Sequence, residues 1–87
     1  MKKFEYKITD ELGIHARPAG MLVKKVGEFQ SKVIIKNRKT QKSAYADKIF
    51  GVMGLGIKGG DVVEISIEGA DEEKACKELK TFFEENL

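Results

Sequence analysis

The segment Gly13-Ile14-His15-Ala16-Arg17-Pro18-Ala19-Gly20 contains the one histidine and the one proline of the chain, with an arginine between them. These residue types suit phosphoryl chemistry. Imidazole offers a nucleophilic nitrogen, and guanidinium a planar fork that matches phosphoryl oxygens better than an ammonium does. Proline lacks an N–H and has φ fixed near the helical value, so it fits a first helical turn, where backbone N–H groups have no partners anyway. With Pro18 in that turn, His15 falls at or beside the N-cap. Its ring then lies next to the free N–H groups of Ala16 and Arg17 and the positive end of the helix dipole, a setting that favours anions. That positive end disfavours a charged imidazole, and the neutral ring keeps a lone pair that can attack phosphorus. The same N–H groups and Arg17 can then hold the negative charge of the bound phosphoryl group. The competing reading is a polar residue at a helix start with Pro18 as punctuation. A bare His-x-Arg-Pro favours that plainer reading.

The elements that must position these residues follow from periodicity. Phe4-Glu5-Tyr6-Lys7-Ile8-Thr9 alternates apolar and polar, the period of a half-buried strand. Asp10-Glu11-Leu12-Gly13 reads as a turn. Ala19, Leu22, Val23, Val26 and Phe29 line one face of a helix starting at Ala16, with Lys24, Lys25 and Glu28 off the centre of that stripe. Val33-Ile34-Ile35 is a β-branched run, and Asn37–Thr40 turns the chain into a return strand near Gln41–Tyr45. Asp47–Gly56 allows one short helix only, because it contains three glycines. After a turn at Lys58–Asp61, the stretch Val62–Glu68 is a strand with Val63, Ile65 and Ile67 on one face. Asp71 reads as the N-cap of a last helix, with Glu72 and Glu73 at its positive end and Ala75, Leu79, Phe82 and Phe83 buried. The order is βαββαβα. Strands with one apolar face need one covering layer, so an α+β fold with an antiparallel sheet and helices on one side is expected.

At 87 residues the chain is expected to be one domain, 1–87. Its single cysteine forbids an internal disulfide and fits a reducing cytoplasm. Cys76, between Ala75 and Leu79, reads as a packing residue. No apolar run is long enough to span a bilayer, and MKKFEYKITDEL alternates instead of forming the apolar block of a signal peptide. Charge is uneven: residues 1–48 carry twelve Lys/Arg against five Asp/Glu, whereas residues 49–87 carry four against nine. The basic half favours an acidic partner surface, a phosphate group or nucleic acid, unless the asymmetry is chance.

GIHARPAG after a first strand, followed by a short helix containing Ile49-Phe50-Gly51-Val52-Met53-Gly54-Leu55-Gly56, resembles the HPr family. Members are the histidine-containing phosphocarriers of the bacterial phosphoenolpyruvate-dependent sugar phosphotransferase system. The resemblance covers essentially the whole chain in length, element order and motif spacing. It implies an open-faced βαββαβα sandwich, with a four-stranded antiparallel sheet covered on one face by three helices. It also implies phosphorylation of His15 on Nδ1 by enzyme I, and onward transfer to sugar-specific IIA proteins or domains. On this reading His15 is the phosphoacceptor, Arg17 the phosphate-stabilising arginine, and Pro18 the proline opening the first helix. Gly20, Lys24, Ile49, Phe50 and Met53 fall where the family docks its partners. Read without the resemblance, Ile49, Phe50 and Met53 are simply core; for Ile49 and Val52 both readings stay open. No metal, no cofactor, no membrane insertion and no independent catalysis are expected of such a carrier, which is expected to be monomeric.

Two departures stand out. The stretch between Val33 and Ile49 is longer than in common members, which leaves the hairpin conformation open. Many Gram-positive members also have a regulatory serine just before the apolar residues of the short helix, where this chain has Lys48. Asp47 is then the better N-cap for that helix. Three rival functions fit less well. A nucleic-acid module would interleave aromatics with its basic residues, and residues 32–42 contain none. One histidine and one cysteine do not make a metal site. A purely regulatory paralogue would lack the acceptor histidine or rely on the serine.

Overall fold

Alternating strands assemble the sheet. The computed structural model describes residues 1–87 and contains β1 (Lys2–Lys7), β2 (Lys32–Asn37), β3 (Ser43–Tyr45) and β4 (Val62–Glu68). All neighbouring strands are antiparallel, in the order β1-β4-β2-β3. Phe4 opposes Ile65, and Ile35 opposes Ile65 from the other side, so the apolar positions of β1, β4 and β2 fall on one face. Val33, Ile35, Val63, Ile65 and Ile67 are buried there. The opposite face is open to solvent and polar, with Arg38 paired to Glu5 at 3.0 Å and to Glu64 at 3.2 Å.

Three helices cover the apolar face: α1 (Ala16–Val26), α2 (Ile49–Met53) and α3 (Glu72–Asn86). α1 contributes Ala19, Leu22 and Val26, α2 contributes Val52, and α3 contributes Ala75, Cys76, Leu79, Phe82 and Phe83, all to one core. Phe83 anchors α3 on the sheet through edge-to-face contacts with Phe4 at 5.9 Å and Tyr6 at 5.5 Å. This is the open-faced α+β sandwich expected from the sequence. No helix is long and apolar enough to cross a membrane.

Three local expectations change. The apolar period that runs to Phe29 outlasts the helix: α1 stops at Val26, and Phe29 packs against the core from a turn. The chain must turn there because the Gln30 N–H and the Ser31 hydroxyl both donate to the Asp71 carboxylate. Those two bonds hold the Asp71 carboxyl below the usual carboxylate range. Asp71 occupies the N-cap position of α3 but makes no side-chain cap, its oxygens being committed to this loop. Finally, the return strand is only Ser43–Tyr45, because Gln41 takes a left-handed φ of 65° to close the hairpin. Buried Asn37 stabilises that turn, donating from Nδ2 to the Leu55 carbonyl and accepting the Lys39 N–H on Oδ1.

Candidate functional site

His15 is the N-cap of α1, with extended backbone (φ −98°, ψ −172°), and its carbonyl accepts the first helical bond from the Ala19 N–H at 2.9 Å. Pro18 therefore stands within the first turn, where its missing N–H is no loss. The imidazole makes no capping hydrogen bond, so the ring is not used to hold the helix start. The N–H groups of Ala16 and Arg17 are likewise taken up by no acceptor in the fold. Both point along the axis toward whatever lies before the helix, as the free donors of a helix N-terminus do. The Arg17 side chain is exposed and forms no ion pair. One nucleophilic ring, two free backbone donors and one free guanidinium thus share the start of one helix.

The loop before the helix is built tightly enough to hold this geometry. Gly13 has φ +68°, and a Cβ there would lie 2.2 Å from the Ile57 carbonyl oxygen. That approach lets the Ile14 N–H donate to the same carbonyl at 3.1 Å. From the other side, Thr9 and Asp10 donate their N–H groups to the Leu87 carbonyl, at 2.6 and 2.9 Å. His15, Arg17, Pro18, Asp10, Met21 and Asn86 line an open depression of about 270 Å³. The His15 side chain is 40% exposed, and its Nε2 lies 3.9 Å from Asp10 Oδ2. In the sequence Asp10 reads as a turn residue with no role, and neither Met21 nor Asn86 stands out. Met21 lies four residues after Arg17 on α1, so helical spacing could have found it; nothing local signals Asn86, which comes from α3.

The partner-docking candidates fall on the α1–α2 side. Gly20 of α1 faces α2, and a Cβ there would sit 3.7 Å from Ile49 Cδ1. Ile49 is half-buried and packs against the core, whereas Val52 is fully buried and is core alone. Phe50 is 86% exposed, an unusual position for a large aromatic side chain, and Met53 and Met21 are also exposed. Lys24 is exposed and unpaired on α1. At the start of α2 the N-cap is Lys48 and not the expected Asp47, with no side-chain cap. Apolar side chains and unpaired cations therefore occupy the same side.

Residues 2–85 match the family model described as the PTS HPr component phosphorylation site. Among curated relatives, a phosphocarrier protein HPr of Lysinibacillus sphaericus is 41% identical over 85 residues, covering 98% of this chain and 94% of its own. The crystal structure of an HPr from Thermoanaerobacter tengcongensis superposes with a TM-score of 0.89 at 38% identity, covering 97% of this chain and 92% of that one. A second structure from that organism, described as an HPr dimer, matches with a TM-score of 0.75 at 38% identity, over 98% of this chain and 95% of that one. With the βαββαβα sandwich and the histidine at its first helix start, these matches settle the family: the chain belongs to the HPr phosphocarriers of the phosphotransferase system.

Proposed function

We propose that residues 1–87 act as one phosphocarrier unit in which His15 accepts a phosphoryl group from phosphorylated enzyme I and passes it to IIA proteins or domains. The observation that carries this reading is the uncommitted imidazole at the N-cap, beside donors with no other partner. Nδ1 of the ring attacks phosphorus, the N–P bond forms, and the donor keeps the electron pair of the bond it loses. The N–H groups of Ala16 and Arg17 and the Arg17 guanidinium take the phosphoryl oxygens. All of these groups are solvent-facing, so their hold is modest, which suits a group that must leave again. Gly20, Lys24, Ile49, Phe50 and Met53 form the docking surface, apolar at its centre and basic at its rim. Gly20 serves by letting α2 pack close, and Phe50 by projecting into the partner. The site of action is the cytoplasm and the working form the monomer, in contrast to the T. tengcongensis dimer.

The test is reconstitution. Phosphoenolpyruvate, enzyme I and a IIA protein should yield phosphorylated IIA only when this chain is present, and the His15→Ala variant should fail. Labelling of the chain by phosphoenolpyruvate alone would contradict the carrier role.

A further inference from the structure

Asp10 is more firmly held than a surface turn residue needs to be. Its N–H donates to the Leu87 carbonyl and its own carbonyl accepts the Gly13 N–H, each at 2.9 Å. Its Oδ1 accepts the Leu12 N–H at 2.9 Å. Only Oδ2 is left over, and it faces His15 Nε2 at 3.9 Å. The separation exceeds a hydrogen bond, so the interaction is one of charge. We propose that Asp10 is a positioning residue for the His15 ring: its carboxylate keeps the imidazole proton on Nε2 and so leaves the lone pair on Nδ1.

A negative oxygen attracts the N–H dipole and repels a lone pair, so the tautomer with hydrogen on Nε2 is favoured on that side of the ring. Of the other residues lining the depression, Arg17 is the only charged one; Pro18, Met21 and Asn86 are neutral. Arg17 and the free N–H groups stand at the same helix start as the ring, and the Asp10 carboxylate is the charged group that faces Nε2. The consequence for transfer rests on the phosphocarrier reading above. When Nδ1 forms its bond to phosphorus and the proton stays on Nε2, the ring becomes cationic and Asp10 faces that charge. When the N–P bond breaks toward an acceptor, the electron pair returns to Nδ1 and the Nε2 proton is unchanged. A ring kept protonated on Nε2 is the better leaving group.

Asp10→Asn is the informative variant, because its side-chain oxygen can still accept the Leu12 N–H while the charge is gone. Asp10→Ser, which forms the same kind of turn, is the second variant should the first disturb the loop. The readout is the long-range proton–nitrogen correlation spectrum of the His15 ring in the unphosphorylated protein at pH 9. The wild type should show hydrogen predominantly on Nε2, and removal of the charge should shift the ratio toward Nδ1 by about twofold, at the low end of what a surface charge pair supplies because the neutral ring presents only a dipole. Equal ratios in wild type and variants of unchanged fold would overturn the proposal. This measurement involves no phosphoryl group, so it stands apart from the carrier reading. A wild type that accepts phosphoryl normally but shows no tautomer shift on substitution would leave the carrier reading standing and remove Asp10 from it.

Discussion

Arg17→Ala separates a phosphate-binding arginine from a structural one. Arg17 is exposed in the first turn of α1 and forms no ion pair, so its removal should change folding stability by no more than about 0.5 kcal/mol. Alanine is also the stronger helix former, which offsets any small packing loss. In transfer the loss should be far larger. A charge-assisted hydrogen bond contributes ~1.5–3 kcal/mol, which at 1.36 kcal/mol per decade is roughly a 10- to 150-fold slower reaction. Exposure of the site places the expected loss toward the lower end, about tenfold. Arg17→Lys should recover part of it, since the charge is kept and the planar fork is lost. The assay is rapid-quench transfer from phosphorylated enzyme I, with urea unfolding of the same variant alongside. A variant destabilised by more than about 1 kcal/mol with transfer unchanged would refute the reasoning and make Arg17 structural.

Phe50→Ala should leave the melting temperature unchanged, because the ring is 86% exposed, yet weaken IIA binding by more than about 1 kcal/mol in calorimetry, as loss of an aromatic anchor does. Lys24→Glu should slow association with acidic partners mainly at low salt; equal losses at low and high salt would remove Lys24 from the rim. Asp71 titrates below the usual carboxylate range because Ser31 and Gln30 donate to it. Its contribution to stability is therefore full at neutral pH and disappears as pH falls through the depressed value. Asp71→Asn should accordingly be less stable than wild type at pH 7, with the gap closing in acid denaturation curves. Lys48 is the α2 N-cap and cannot form a serine ester, so an HPr kinase with ATP should add no acid-stable phosphoryl group. Mass analysis locating one on Ser43 would contradict this.

Periodicity was enough for the layers of this fold and for the residues of its first helix start, because both are local. The alternation of Val62–Glu68 reports its buried face directly, and Pro18 marks a first turn whatever surrounds it. What the sequence concealed depends on contacts between distant loops. Asp71 reads as a helix cap until the loop at Gln30 and Ser31 is seen to claim its oxygens, forty residues away in the chain. Asp10 reads as a turn residue, and its approach to His15 depends on the left-handed Gly13 and the close contact of that loop with Ile57. α2 shows a third limit. Its apolar run contains both Val52, which is fully buried, and Phe50, which is exposed, and one turn of helix is too short for spacing alone to sort them.

The central claim is that the phosphoryl group travels on Nδ1 of His15. Phosphorus and nitrogen NMR of the protein, uniformly labelled with heavy nitrogen and loaded by enzyme I and phosphoenolpyruvate, tests it most directly. The account predicts one acid-labile phosphoryl group coupled to Nδ1 of His15, and none in His15→Ala. A phosphoryl group on any other residue, or one that survives in His15→Ala, would contradict it.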